Sequence, residues 1–130
     1  MNTPQDLKYT KNDEWVRVQG RSGTAGITDY AQSQLSDIVF FEVSAAVGAT
    51  VKQGEAFGTV ESVKASSDIY MPVTGTLTEI NADLSKSPES INKDPYGQAW
   101  MIRFQIGDPK QLDGLMDAAA YEKYCQGRSH

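Results

Sequence analysis

Lys64 is the residue of this chain best placed for unusual chemistry. It lies in Gly58-Thr-Val-Glu-Ser-Val-Lys64-Ala-Ser-Ser-Asp68-Ile-Tyr-Met-Pro72, with no other Lys or Arg in that stretch and strand-like runs on either side. A primary amine on a long flexible stem is a good attachment point for an acyl group. As such a point it would make the protein a carrier, with the reaction belonging to a borrowed prosthetic group. The default for an isolated lysine is a solvated surface side chain, the reading kept for Lys8, Lys52, Lys86 and Lys123.

The side chains that ordinarily run catalysis are scarce. The single histidine is His130 and the single cysteine is Cys125, too few for a zinc site or for a nucleophile with a positioned imidazole. No catalytic or metal-ligating set is expected; paired carboxylates, possible in principle, show no recognisable constellation, and the expected role is non-catalytic. One cysteine precludes an internal disulfide, which fits a reducing compartment; Cys125 reads as a half-buried thiol on a terminal helix. Twelve basic against seventeen acidic side chains, a net charge of −5, argue against nucleic acid as a partner. No apolar run reaches the ~20 residues of a membrane span. Met1 to Lys8 has the pattern of neither a signal nor a transit peptide. The expected location is cytoplasmic, or the mitochondrial matrix if a leader has been removed.

The elements that must position Lys64 read as short strands. Gly20, Gly23, Gly26, Gly48, Gly54, Gly58, Pro72 and Gly75 punctuate the first part of the chain. Between them lie Trp15–Gln19, Thr24–Ile27, Ile38–Val43, Ala56–Ser62, Ser67–Met71 and Thr76–Ile80, rich in Val, Ile, Thr, Phe and Tyr. That spacing predicts an all-β sandwich or small barrel. The apolar run Ile38-Val-Phe-Phe41 predicts a strand covered on both faces. Thr28 predicts the cap of a helix over Asp29–Leu35, and Pro88 to Asn92 a single turn. Trp100–Ile106 reads as a late returning strand, Asp108-Pro109 as the cap of a turn through Leu112 and Leu115, and Asp117 as the start of a final helix. Trp15, Trp100 and Phe57 are expected core residues. A single domain spans 1–130, its core about 8–107 and a helical segment about 108–125. Propensity leaves Lys64 itself open: one long strand from Ala56 to Ile69, or a bend at Ser66-Ser67-Asp68, because Ser62 to Ala65 lacks Gly, Pro, Asn and Asp.

The sequence resembles the H protein of the glycine cleavage system. The matching segments are Glu14-Trp-Val-Arg-Val18, Gly26-Ile-Thr-Asp-Tyr-Ala31, Asp37-Ile-Val-Phe40, Gly58 to Ala65, Pro72-Val-Thr-Gly75, Asn92-Lys-Asp-Pro-Tyr-Gly97 and Trp100. The resemblance implies a flattened β-barrel or sandwich of the lipoyl/biotinyl hammerhead type, with short peripheral helices and a C-terminal helix. It implies that Lys64 sits in an exposed tight turn and carries lipoate as an amide. The implied partners are a pyridoxal-phosphate glycine decarboxylase, a tetrahydrofolate-dependent aminomethyltransferase, a dihydrolipoyl dehydrogenase and a lipoylating enzyme. The implied role is to carry the aminomethyl group from the first to the second, followed by reoxidation by the third. A monomer suits such a shuttle.

The cargo is labile in water and its amine is cationic, so a sheltered carboxylate is useful. Glu14 and Asp68 are the candidates, with Asn12 a weaker third; ordinary solvated acids are the competing reading. Glu61 is a candidate for recognition of the lysine turn by the lipoylating enzyme. The family commonly has His before the Glu-Trp pair, where this chain has Asp13; Met71 before Pro72 and Ser44-Ala45 are milder departures. Among rivals on the same fold, biotinyl domains flank the lysine with Met and 2-oxoacid dehydrogenase lipoyl domains usually place Asp before it, whereas Val63 and Ala65 stand here. A lipoate relay protein serving other enzymes would match equally well. An unmodified protein-interaction module is the alternative from another class.

Overall fold

The computed structural model describes residues 1–128, so His130 lies outside the described residues. Nine strands and four helices follow in the order β1 (Lys8–Tyr9), β2 (Glu14–Gln19), β3 (Ser22–Ile27), α1 (Asp29–Leu35), β4 (Ile38–Val43), β5 (Thr50–Val51), β6 (Ala56–Ser62), β7 (Ser66–Tyr70), β8 (Gly75–Ile80), α2 (Ala82–Lys86), α3 (Ser90–Lys93), β9 (Ile102–Ile106) and α4 (Ala118–Gln126). A 3-10 turn, Pro109–Gly114, precedes α4. Every strand pairing is antiparallel. The strands form a six-stranded sheet in the order β1-β2-β3-β9-β8-β5 and a three-stranded sheet in the order β4-β6-β7. The two sheets do not close into a barrel; the architecture is a flattened sandwich.

Alternation builds the main core. In β9, Ile102, Phe104 and Ile106 turn inward while Arg103 and Gln105 face out. They pack with Val16, Ala25, Phe57, Val60, Ile69, Met71 and Leu77 between the layers. A second cluster lies at one edge, where Leu7, Tyr9, Trp15, Tyr96, Ala118, Tyr121 and Cys125 join β1 and β2 to α4. Tyr9 and Tyr121 stack there with ring centroids 4.7 Å apart and planes 8° apart. Cys125 is fully buried rather than half-buried, and burial pushes its thiol pKa up.

Two other expectations change. Ile38-Val-Phe-Phe41 is not covered on both faces: Ile38 and Phe41 are buried, while Val39 and Phe40 are 55% and 41% exposed. A bulge between Ile38 and Phe40 shifts the register against β6 and turns both outward. Trp15 is fully buried and donates its indole N–H to Pro95 O at 3.0 Å. Trp100 is only half-buried, with the Arg103 guanidinium lying 4.1 Å over its ring. Phe57 is core.

The helices follow their caps. The Thr28 hydroxyl accepts from Ala31 N, and the Asp108 and Asp117 carboxylates accept from Lys110 N and Ala120 N. The short strands β1 and β5 and helix α2 gave no periodic signal, since two to five residues are too few to show one.

Glycine has a packing reason at Gly58, where β6 passes close under β4. A Cβ there would lie 2.6 Å from Glu42 O, a backbone atom. Gly58→Ala is expected to lower stability by about 1–3 kcal/mol, read as a fall in the urea midpoint; an unchanged midpoint would show that β4 moves aside freely.

Candidate functional site

Lys64 is at the tip of the β6–β7 hairpin. Glu61 pairs with Ser66 and Val60 with Ser67, so the turn spans Ser62 to Ala65 with Val63 and Lys64 at its centre. Neither of these residues has positive φ, so this is not one of the mirror-image turns that favour Gly and Asn. The Ser62 hydroxyl closes it instead, accepting from Lys64 N at 3.2 Å and Ala65 N at 3.0 Å. Ser62 N donates to Ala65 O at 2.7 Å, and Val63 N to Asp37 O at 3.0 Å, which braces the tip against the segment entering β4. A serine-capped turn is thus the answer that propensity left open; Ser66, Ser67 and Asp68 are inside β7 and form no bend. Lys64 is exposed to solvent beside Val63, which is 67% exposed.

The same hairpin walls a cleft of about 270 Å³. Val60, Ser67, Asp68 and Ile69 form one side; Ile27, Tyr30, Ala31, Gln34 and Leu35, from the end of β3 and α1, form the other. The buried Glu14 closes the floor, with Asp13 beside it, and Asn12 and Arg128 stand at the rim. From Ser67 to Lys64 is about 10 Å along the strand. The cleft is of mixed character, with Ile27, Ala31, Leu35, Val60 and Ile69 beside the carboxylates of Asp13, Glu14 and Asp68.

Glu14, Asp68 and Asn12, picked out from sequence as separate residues, meet in this one cleft. They differ in kind. Glu14 is 1% exposed. Its Oε1 accepts from Thr10 Oγ1 at 2.6 Å and its Oε2 from Tyr70 N at 3.2 Å, so it joins the β1–β2 turn to β7 of the other sheet. Desolvation raises its pKa from 4.5 to about 7, against the two hydrogen bonds and with a small addition from the Asp13 charge. Asp68 and Asn12 are exposed; Asp68 Oδ1 accepts from Thr59 Oγ1 across the hairpin at 3.3 Å. Glu61 is exposed at the end of β6, three residues from Lys64 and outside the cleft lining.

Asp13 has φ of 68°, in the left-handed region where Asp, Asn and His are the residues most enriched after glycine. That shared tolerance explains how a carboxylate can stand where the resembling family commonly has His. Sequence reasoning did not single out Ser62, Thr10 or Arg128. The first carried a readable signal, a hydroxyl two and three residues before the N–H groups it satisfies; the last did not, because its partner is 115 residues away.

A family model described as glycine cleavage H-protein matches residues 7–128. The chain belongs to the glycine cleavage H-protein family. A glycine cleavage system H protein of Symbiobacterium thermophilum is 51% identical over 125 residues, covering 96% of this chain and 97% of that one. One from Myxococcus xanthus is 50% identical over 125 residues, covering 96% of both. The crystal structure of a glycine cleavage system H protein from Mycobacterium marinum superposes with a TM-score of 0.80 at 32% identity, over 98% of this chain and 99% of that one. The protein is accordingly a lipoyl carrier of the glycine cleavage system, and members of its family carry covalently attached lipoate.

Glu14 makes stability fall as pH rises. Its folded pKa lies above the unfolded value, so between about 4.5 and 7 the folded state keeps a proton that the unfolded state releases. The loss across that window is roughly 3 kcal/mol in full. Glu14→Gln removes it while keeping an acceptor for Tyr70 N. The variant is expected to gain thermal stability relative to wild type between pH 5 and 8; parallel melting curves at the two pH values would contradict the assignment.

Proposed function

We propose that Lys64 is the lipoyl attachment point and that the cleft beside it shelters the aminomethyl cargo in transit. The observation that carries this reading is a single hairpin with the exposed amine at its tip and the cleft wall on its flank. The residues fit the group: Ile27, Ala31, Leu35, Val60 and Ile69 offer apolar surface to a hydrocarbon arm, and the polar groups between them offer acceptors to its cargo. When attached, lipoate supplies the reducible disulfide whose sulfur takes up the one-carbon unit. This chain supplies presentation, shelter and charge, and acts as a single non-catalytic carrier domain.

Glu14 holds the cargo's proton. Empty, it sits near half-protonation at neutral pH. A cationic amine brought beside it favours the carboxylate, and the carboxylate in turn favours the ammonium. A nitrogen kept as ammonium has its lone pair engaged in an N–H bond and cannot expel the sulfur. The buried floor also keeps water from the cargo. Asp68 and Asn12, nearer solvent, offer further acceptors at the mouth. Thr10 and the Tyr70 N–H hold the Glu14 oxygens in place, so the carboxylate does not have to be organised when the cargo arrives.

The partners follow from the carrier cycle. A pyridoxal-phosphate glycine decarboxylase loads the arm, a tetrahydrofolate-dependent aminomethyltransferase unloads it, and a dihydrolipoyl dehydrogenase reoxidises it with NAD. A lipoylating enzyme meets the turn first, with Glu61 on β6 as its recognition residue. The tip suits brief encounters with each: Val39, Phe40 and Val63 are exposed apolar side chains on β4 and at the turn, beside the acidic Asp37 and Glu61.

Intact mass after expression with lipoate should rise by one lipoyl group, and Lys64→Ala should abolish the increment; an increment that persists in the variant would refute Lys64. The lipoylated protein should support glycine decarboxylation by its partner, and Lys64→Arg should not. Lipoylation without any response from the decarboxylase would favour the relay role. Separately, Glu14→Ala should shorten the lifetime of the loaded cargo by about tenfold or more, the scale of one buried charge-assisted contact; an unchanged lifetime would remove Glu14 from the shelter.

A further inference from the structure

Arg128 stands at the rim of the cleft and is held from several sides. Its Nη1 donates to Asp13 Oδ1 at 2.6 Å and its Nη2 to Asp13 Oδ2 at 2.9 Å, a paired fork. Tyr30 of α1 and Tyr124 of α4 lie against the guanidinium, with ring centroids 4.6 and 4.7 Å from Cζ. The Tyr121 hydroxyl donates to the same Asp13 Oδ1 at 2.8 Å. Its single proton is then committed, so the Thr28 hydroxyl 2.6 Å away is the donor to Tyr121. A continuous chain thus runs from the cap of α1 through Tyr121 to Asp13 and on to Arg128.

These contacts draw together three segments far apart in sequence. The turn before β2 contributes Asn12 and Asp13 to the cleft, and α1 contributes Tyr30 and Ala31. The stretch after α4 contributes Arg128. The pair is also only partly buried, its side chains 31% and 15% exposed. The pair is thus within reach of solvent while its fork geometry makes it stronger than an ordinary surface contact.

We propose that the Asp13–Arg128 pair is a latch that closes the cleft over the cargo, making the two side chains positioning residues of the carrier. The inference rests on the reading of this cleft as the arm's shelter. Two effects follow from the geometry. The latched guanidinium and Tyr30 complete the wall of the cleft, with Tyr124 backing the guanidinium, which limits water. The latch also settles the charge balance: Asp13 neutralises Arg128, leaving Glu14 on the floor and Asp68 at the mouth as the carboxylates that face a cationic cargo. Without Asp13, an unpaired guanidinium would line the same space and oppose the cargo's charge.

The test uses the full chain with Asp13→Asn, Arg128→Gln, Arg128→Lys and the double variant Asp13→Asn/Arg128→Gln. Asn is chosen at position 13 because it tolerates positive φ. On unlipoylated protein, amide exchange across α4 should quicken in all four, most in the double variant or equally, with Arg128→Lys the least affected. On loaded protein, Arg128→Gln should shorten the cargo lifetime about threefold and Asp13→Asn about tenfold, since the latter leaves a like charge facing the cargo. Adding Arg128→Gln to Asp13→Asn should lengthen the lifetime again, to that of Arg128→Gln alone. Such a rescue is not the behaviour of a merely destabilised fold, in which losses accumulate.

Multiplying losses in the double variant would overturn the proposal, as would unchanged lifetimes alongside faster exchange of α4, or unchanged exchange. Glu14→Gln, measured in parallel, separates the two layers of inference. A shortened lifetime there with none in the latch variants refutes the latch alone. No effect in Glu14→Gln or in the latch variants refutes the shelter, and the latch with it.

Discussion

The buried carboxylate of Glu14 is the constraint around which the site is arranged. It belongs to β2 of the larger sheet, takes a hydroxyl from the turn before it, and takes a backbone N–H from Tyr70 of the smaller sheet. One side chain therefore spans the sandwich at the place where the cleft meets its floor. A carboxylate in that position would be costly if its oxygens were unpaired. Both are paired, and the remaining cost appears as a pKa raised to about 7. The fold thus maintains a group of adjustable charge, and a carrier of cationic cargo has use for one.

The hairpin β6–β7 couples the two halves of the carrier's task. On the proposed function, its tip is open for enzymes to reach and its flank is closed to water. One register satisfies both. Because Val60 pairs with Ser67 and Glu61 with Ser66, the turn centres on Val63-Lys64, while Val60 and Ile69 turn inward to the core and cleft. A slip by one residue would reverse every side chain in the hairpin. The Ser62 hydroxyl, accepting from two N–H groups of the tip, fixes the turn in a sequence without the residues that usually make one.

Around that hairpin the rest of the molecule supplies walls. The helix α1 is capped by Thr28, whose backbone N–H donates to Asp13 O and whose hydroxyl meets Tyr121. The stacked Tyr9 and Tyr121 rings seat α4 against β1. Capping, aromatic stacking and the Asp13–Arg128 pair converge on the same few residues. The second hydrophobic cluster, remote from the sandwich core, is in this sense the frame of the cleft.

Much of this was determined by local sequence. Turn residues at short intervals and runs of β-branched and aromatic residues located the main strands, and Thr28, Asp108 and Asp117 marked three helix starts. Lys64 stood out by isolation, and the ordered motifs around it carried the family. These signals are local, each needing only a few neighbouring residues. Tertiary structure decided the rest because the deciding partners are distant. Burial of Glu14 depends on a strand 56 residues away, and Asp13 finds Arg128 across 115. A bulge, invisible to periodicity, turned Val39 and Phe40 outward. The turn at Lys64 lay between these cases: its serine was in plain view, but only the pairing of β6 with β7 made that hydroxyl face the two N–H groups it satisfies.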